Sequence, residues 1–297
     1  MTTQVSSTHE ILHRLENQTL IFDGATGTYL QQHGLESGGC PELMNADASD
    51  TVRGMARAYF DAGSDIVLTN TFGGTKFRLQ HYEAQDRVRE LNQLAAEHAK
   101  SQAGPYQYVA GSVGPTGEFI EPLGTVSESE MYDAFAEQVT ALEEGSADAV
   151  MIETQMVLDE AQIAIKAARE NTDLVVMATM IFDKGPRGFF TMWGTSPKDA
   201  AKGLREAGAD VVGSNCGNGI DKMIEIAELM RPVVSCPIVI QSNAGIPAYK
   251  GGQIIYPESP DYMAERYKQL AEVPVQILGG CCGTTPDHIS ALVEAVK

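Results

Sequence analysis

Basic residues are scarce in this sequence. It sets 21 Lys and Arg against 40 Asp and Glu, a formal net charge of −19 over 297 residues. A surface of that sign repels phosphate backbones and anionic headgroups, so neither nucleic acid nor a membrane is an expected partner. Long apolar runs are also missing. None reaches the roughly 20 residues of a membrane span, and Met1 to Leu20 lacks the apolar centre of a secretory leader. A cytoplasmic location is expected. There is one tryptophan, Trp193, and there are five cysteines, too few in a chain this long for a disulfide scaffold. No GxGxxG turn follows the first apolar run and there is no Walker A sequence, which argues against a nucleotide-binding open sheet. No linker or low-complexity tract divides the chain. The expected organisation is a single domain, residues 19–297, behind an N-terminal extension, residues 1–18.

What is present is alternation. Short apolar runs at 19–22, 65–69, 107–111, 149–152, 174–180, 210–213, 237–241 and 274–278 read as strands. Between and after them, 49–62, 84–102, 128–144, 158–170, 197–207, 221–230, 260–270 and 286–296 read as helices, several with Ser, Thr or Asp at the start and acids early. Residues 9–16 read as a short extra helix covering the bottom of the first strand. Eight strand–helix units over this length predict an α/β fold of the (β/α)8 TIM-barrel type, with every strand's C-terminal end opening on one face.

Two cysteine motifs fall on that face. Gly279-Gly280-Cys281-Cys282-Gly283-Thr284 follows the last strand, and Asn215-Cys216-Gly217 follows the sixth. Adjacent cysteines make a strained disulfide but can grip one soft ion together. Cys216, Cys281 and Cys282 therefore suggest a zinc site with one position free, in which a thiol substrate would lose its proton. A phosphate cradle is the rival reading of the last loop, and vicinal cysteines have no use in one. Cys236 reads as a buried small hydrophobe at the base of the seventh strand and Cys40 as a loop residue; His288 is a weaker candidate ligand. Asp23 and Glu153, at the ends of the first and fourth strands, read either as hydrogen-bond anchors or, for an amino-acid substrate, as holders of its ammonium group. Backbone amides of Gly24 to Gly27 would then take its carboxylate.

Asp23-Gly24-Ala25-Thr26-Gly27-Thr28, Thr69-Asn70-Thr71-Phe72, Gly114-Pro115-Thr116-Gly117, Glu153-Thr154, Gly213-Ser214-Asn215-Cys216, Asn243-Ala244-Gly245 and the double-cysteine loop occur in this order over about Leu20 to Lys297. Together they resemble the zinc-dependent homocysteine S-methyltransferase family, most of all the homocysteine-binding module of cobalamin-dependent methionine synthases. The resemblance implies a TIM barrel, zinc on Cys216, Cys281 and Cys282, and homocysteine contacts at Asp23 and Glu153. It implies methylation of a zinc-bound homocysteine thiolate to methionine. The sequence has no Asp-x-His-x-x-Gly cobalamin motif and no second barrel, so the expected donor is a methyl-corrinoid carried by a separate protein. S-methylmethionine or another small sulfonium is the alternative, and a non-catalytic zinc-binding subunit the alternative of another class. Met180, where many relatives carry Ser, and Trp193 are expected on the mouth side of the fifth strand.

Overall fold

The computed structural model describes residues 7–250 and 253–297. Eight strands form one all-parallel sheet: β1 Leu20–Ile21, β2 Ile66–Leu68, β3 Tyr108–Val113, β4 Ala149–Gln155, β5 Val175–Met180, β6 Val211–Asn215, β7 Ile238–Ser242 and β8 Ile277–Gly280. Each pairs with its sequence neighbours, and β8 returns to pair with β1. The remaining seam, between β1 and β2, carries a single parallel bridge, Phe22 to Ile66. Two carboxylates complete it. Asp65 Oδ2 accepts from Ile21 N at 2.8 Å, and Asp23 Oδ2 accepts from Leu68 N at 2.7 Å. The fold is thus the expected (β/α)8 barrel.

The period-two pattern of the strands sorts the core into two layers. Leu20, Phe22, Ile66, Leu68, Ala149, Met151, Val175 and Met177 pack inside the barrel, whereas Ile21, Val67, Val150, Val176 and Val212 face the helices. Ile11 and Leu15 of the N-terminal helix Ser7–Leu15 join the inner cluster, so this helix closes the bottom. Arg14 fastens it, pairing with Asp65 at 3.0 Å and donating to the Tyr106 carbonyl.

The outer helices begin where the cap chemistry predicts. Ser127, Ser196 and Ser259 accept from backbone amides three residues on, at the starts of Glu128–Glu144, Pro197–Glu206 and Pro260–Glu272. Differences from expectation concentrate at the mouth. β3, β4, β6 and β8 continue two or three residues further towards it than their apolar runs suggest. The short helices Thr26–Gln32, Met44–Asp47 and Lys76–Leu79 build up the first two loops. Antiparallel hairpins follow β5 (Asp183–Gly185 with Gly188–Phe190) and β7 (Ala248–Lys250 with Gln253–Ile255).

Candidate metal and substrate site

Polar side chains take over the barrel interior towards its C-terminal end. The alternation that puts Met151 inside also puts Glu153 there, and Ser112, Thr179, Asn215 and Gln241 follow the same rule on their strands; all are buried. Above them lies a cavity of about 300 Å³ lined by Gly24 to Thr28, Glu42, Phe72, Arg78, Glu153 and the three motif cysteines, among others.

Cys216, Cys281 and Cys282 converge. Their sulfurs all lie within 4.8 Å of one another, with Cys216 and Cys282 at 3.8 Å. Two ligands on tetrahedral zinc at roughly 2.3 Å each would stand roughly 3.8 Å apart, so the donor set and its spacing fit that ion. No other His, Cys, Asp or Glu among the described residues completes the cluster, and all three cysteines line the cavity.

The backbone is bent to bring the sulfurs there. Cys216 has φ 62° and Gly217 φ 72°, two consecutive left-handed residues that turn the chain sharply off β6. That conformation costs a non-glycine residue roughly 1–2 kcal/mol. Cys281 N donates to the Ser242 carbonyl at 2.7 Å, and Thr284 Oγ1 donates back to the Cys281 carbonyl at 2.7 Å. Gly280 has to be glycine, because a Cβ there would come within 2.2 Å of Thr284 Oγ1.

Without metal the three thiols divide their protons unequally. Cys281 and Cys282 donate to Cys216, and Gly217 N and Asn243 add further donors, so Cys216 is pulled down to about 3. Its thiolate in turn keeps protons on its neighbours: Cys282 is pushed up to about 12 and Cys281 well above its ordinary value.

Glu153 stands beside this cluster. Burial pushes its carboxyl up to about 7, opposed by the Ser112 hydroxyl and reinforced by the Cys216 charge. Asn215 Nδ2 donates to Glu153 Oε2 at 3.0 Å and to Thr154 Oγ1 at 2.8 Å; its Oδ1 accepts from Thr154 N and Thr179 Oγ1, each at 2.8 Å. Asp23 behaves differently. One oxygen serves the β1–β2 seam, whereas Oδ1 is buried without a partner. Burial raises its pKa well above the usual range, and the Glu153 charge adds to this against the Leu68 amide. Glu153 lines the cavity; Asp23 lies just outside the lining.

The other candidates fall elsewhere. His288 Nδ1 accepts from Thr285 N and its Nε2 donates to the Glu258 carbonyl, so it caps the last helix instead of facing the sulfurs. Cys40 is buried and donates to Glu42 Oε2 at 3.3 Å; Cys236 is buried at the other end of the barrel. Ala25 N is engaged with the Thr284 carbonyl and is not free for a substrate carboxylate. Met180 is fully buried at the end of β5, and Trp193 is exposed on the rim, edge-on to Phe119 at 5.2 Å. Asn215, Ser112, Glu42 and Arg78 join the site without being among the expected site residues. Asn215 had a detectable signal, an amide in the strand position directly before a candidate ligand.

A TIM barrel whose mouth gathers three thiols around a point open to a cavity has the make-up of an enzyme that uses a soft metal ion. The comparisons give the family. The homocysteine S-methyltransferase profile matches residues 20–296, and the chain belongs to that family. Methionine synthase of Mycobacterium leprae is 32% identical over 97% of this chain, and that of Mycobacterium tuberculosis 31% identical over 97%. The chain spans about a quarter of the length of these curated relatives, 25% of each. The metallated form of the Escherichia coli homocysteine methyltransferase MmuM superposes with a TM-score of 0.76, covering 97% of this chain and 99% of that one. At 20% identity this is a likeness of fold.

Proposed function

We propose that this barrel binds homocysteine and presents its sulfur for methylation to methionine, with zinc on Cys216, Cys281 and Cys282. One observation carries the proposal: three sulfurs within 4.8 Å of one another on the wall of a cavity that Glu153 also lines. Bound zinc would supply a fourth position for the acceptor's sulfur and lower the thiol's pKa from about 8.5, so that a nucleophile exists at neutral pH. The chain's own residues do the rest. Glu153, ionised opposite an ammonium group, holds the amino end by a charge-assisted hydrogen bond. Asp23 Oδ1, buried without a partner, is the second acceptor for that group. Asn215 keeps Glu153 and Thr154 in register with the Cys216 turn.

The donor we infer is a methyl-corrinoid on a separate protein. Phe119, Leu123, Met192, Trp193, Tyr249 and Ile254 stand exposed on the loops after β3, β5 and β7. Apolar groups around an open mouth suit a large partner that covers it. Phe72 and Tyr82, which line the cavity itself, favour a second reading, a small sulfonium drawn by their ring faces. The decisive experiment is absorption at the zinc edge of the loaded protein, with and without homocysteine. An added sulfur ligand is expected, and an unchanged spectrum at saturating thiol would remove the proposal.

A further inference from the structure

Three consecutive side chains after the β7 hairpin each rest on a glycine of a mouth loop. Tyr256 lies over Gly283, the residue after Cys282; Pro257 lies over Gly245; Glu258 lies over Gly219, three positions beyond Cys216. A Cβ on Gly283 would run into the Tyr256 ring, one on Gly245 would stand 2.8 Å from Pro257 Cγ, and one on Gly219 would run into the Glu258 carboxylate. Residues 256–258 thus cross both cysteine loops as a strap.

The strap is pinned at its end. Glu258 N donates to the Ala244 carbonyl at 3.0 Å, and Ala244 N donates to the Cys282 carbonyl at 3.0 Å. Glu258 Oε2 accepts from Ile220 N at 3.2 Å, at the start of the helix Ile220–Met230, and its carbonyl accepts from His288 Nε2 at 3.1 Å. Tyr256 is half-buried between exposed neighbours, Ile255 and Pro257, and packs on the outer core layer. Its hydroxyl hydrogen-bonds to Cys282. Burial, with the charges on Cys282 and Cys216, pushes the phenol up to about 12, so it keeps the proton it donates. Tyr256 is not among the described residues that line the cavity, so it meets the sulfur without meeting the substrate.

We propose that Tyr256 is a positioning residue of the cysteine site: held by the strap, its phenol donates a hydrogen bond to Cys282 Sγ and withdraws charge from that sulfur when a metal is bound. The assignment rests on the metal site of the proposed function. A divalent ion held by three thiolates carries net negative charge, here beside Glu153 and in a chain with 40 acids against 21 bases. A thiolate that accepts a hydrogen bond gives less of its charge to the ion, which then keeps more of its pull on an incoming thiol.

The test loads the protein with cobalt(II), whose sulfur-to-metal charge-transfer band reports on the ligands, and measures zinc affinity by competition with a chelating dye. Y256F keeps the ring on Gly283 and removes the donor. Its band should move to longer wavelength and its zinc affinity should fall by about tenfold or more, while the thermal midpoint of the metal-free protein stays that of wild type. Tyr256→3-fluorotyrosine, a stronger donor of nearly the same shape, should move the band the other way. An unmoved band in either variant, or a lower affinity with a lower midpoint and no band shift, would overturn the assignment and leave the proposed function standing. Failure of wild type to take up either metal would overturn both.

Discussion

Asn215 Nδ2 lies 3.0 Å from Glu153 Oε2, and the next residue in the chain is Cys216. One buried amide therefore ties the carboxylate end of the cavity to the cysteine end. Its other contacts hold Thr154, which at φ 58° is a β-branched residue in the left-handed region. Such strain persists only where the surroundings enforce it. N215A should release Thr154, leave Glu153 short of a donor and loosen the Cys216 turn. Supporting residues of this kind typically cost 10–100-fold in metal affinity or activity. We expect losses of that size in both zinc retention and homocysteine binding, measured separately. A loss confined to one would show that Asn215 does not couple them.

Loading the site with metal should release protons. Cys216 carries the thiolate in the metal-free protein, whereas Cys281 and Cys282 are held protonated. Ligation requires both to be deprotonated. Titration with zinc near pH 7 should release about two protons per chain, and apparent affinity should rise with pH. C281A should lower the zinc content sharply while circular dichroism stays that of a folded barrel, since the core layers do not touch the ion. Full zinc content in C281A would exclude Cys281 as a ligand.

Glu153 gives a pH dependence of definite sign. Its carboxyl is raised to about 7 in the folded protein from an ordinary value near 4.5. The stability it contributes is present below the ordinary value and is lost as pH rises through about 7, on the order of 3 kcal/mol for this group alone. Substrate selection runs the other way, because only the ionised form attracts an ammonium group. Homocysteine should gain on 4-mercaptobutanoate, which lacks the amine, as pH rises through about 7. E153Q should flatten both the stability slope and the selectivity. A wild-type selectivity independent of pH would mean that the amine is held elsewhere.

Much of this was legible in the chain because barrel architecture is written in local patterns. The apolar face of Glu128–Glu144 and its Ser127 cap fix that helix to the residue. The two cysteine motifs sit in short turns after strands, where the glycines leave few other paths. What escaped was decided at long range. The strands run on into the mouth because inward polar residues such as Ser112 and Asn215 are satisfied by partners 41 and 61 positions away, which periodicity does not register. Glu42 and Arg78 became site residues only when the loops after β1 and β2 came to share one wall. Asp23 is legible in the chain as an acid at a strand end; that one of its oxygens closes the barrel seam while the other is left without a partner is not.

Close packing at the sulfur-bearing strands gives a stability prediction. A Cβ on Gly213 would stand 1.8 Å from the Val239 carbonyl oxygen, which is backbone and cannot rotate aside. G213A must push β6 from β7, at a cost on the order of 3 kcal/mol or more for overpacking of this kind. It should lower the thermal midpoint and also displace Cys216, three positions beyond Gly213, whose register partner is Val239. G27A is the control, since nothing lies within 4 Å of a Cβ there. Equal midpoints for the two variants would contradict the β6–β7 contact.

The donor reading is tested at the rim. If a corrinoid protein covers the mouth, the exposed apolar groups around it must contribute to docking, whereas homocysteine deep in the cavity should not sense them. Trp193 and Ile254 sit on different loops, 50% and 65% exposed, and neither lines the cavity. A charge at either position costs the fold little, because the side chain already meets water, but it would be driven into an apolar contact on docking and leave a desolvated ion there. W193D and I254D should therefore keep wild-type affinity for zinc and homocysteine. Their KM for a methyl-corrinoid protein should rise by tenfold or more, and methyl transfer from free methylcobalamin should change much less. A small sulfonium donor predicts otherwise: F72A, on the cavity wall, should then impair turnover, while both rim variants stay active. Brisk turnover of wild type with S-methylmethionine and none with any methyl-corrinoid would decide for the sulfonium, and the cysteine site and the acceptor chemistry would stand unchanged.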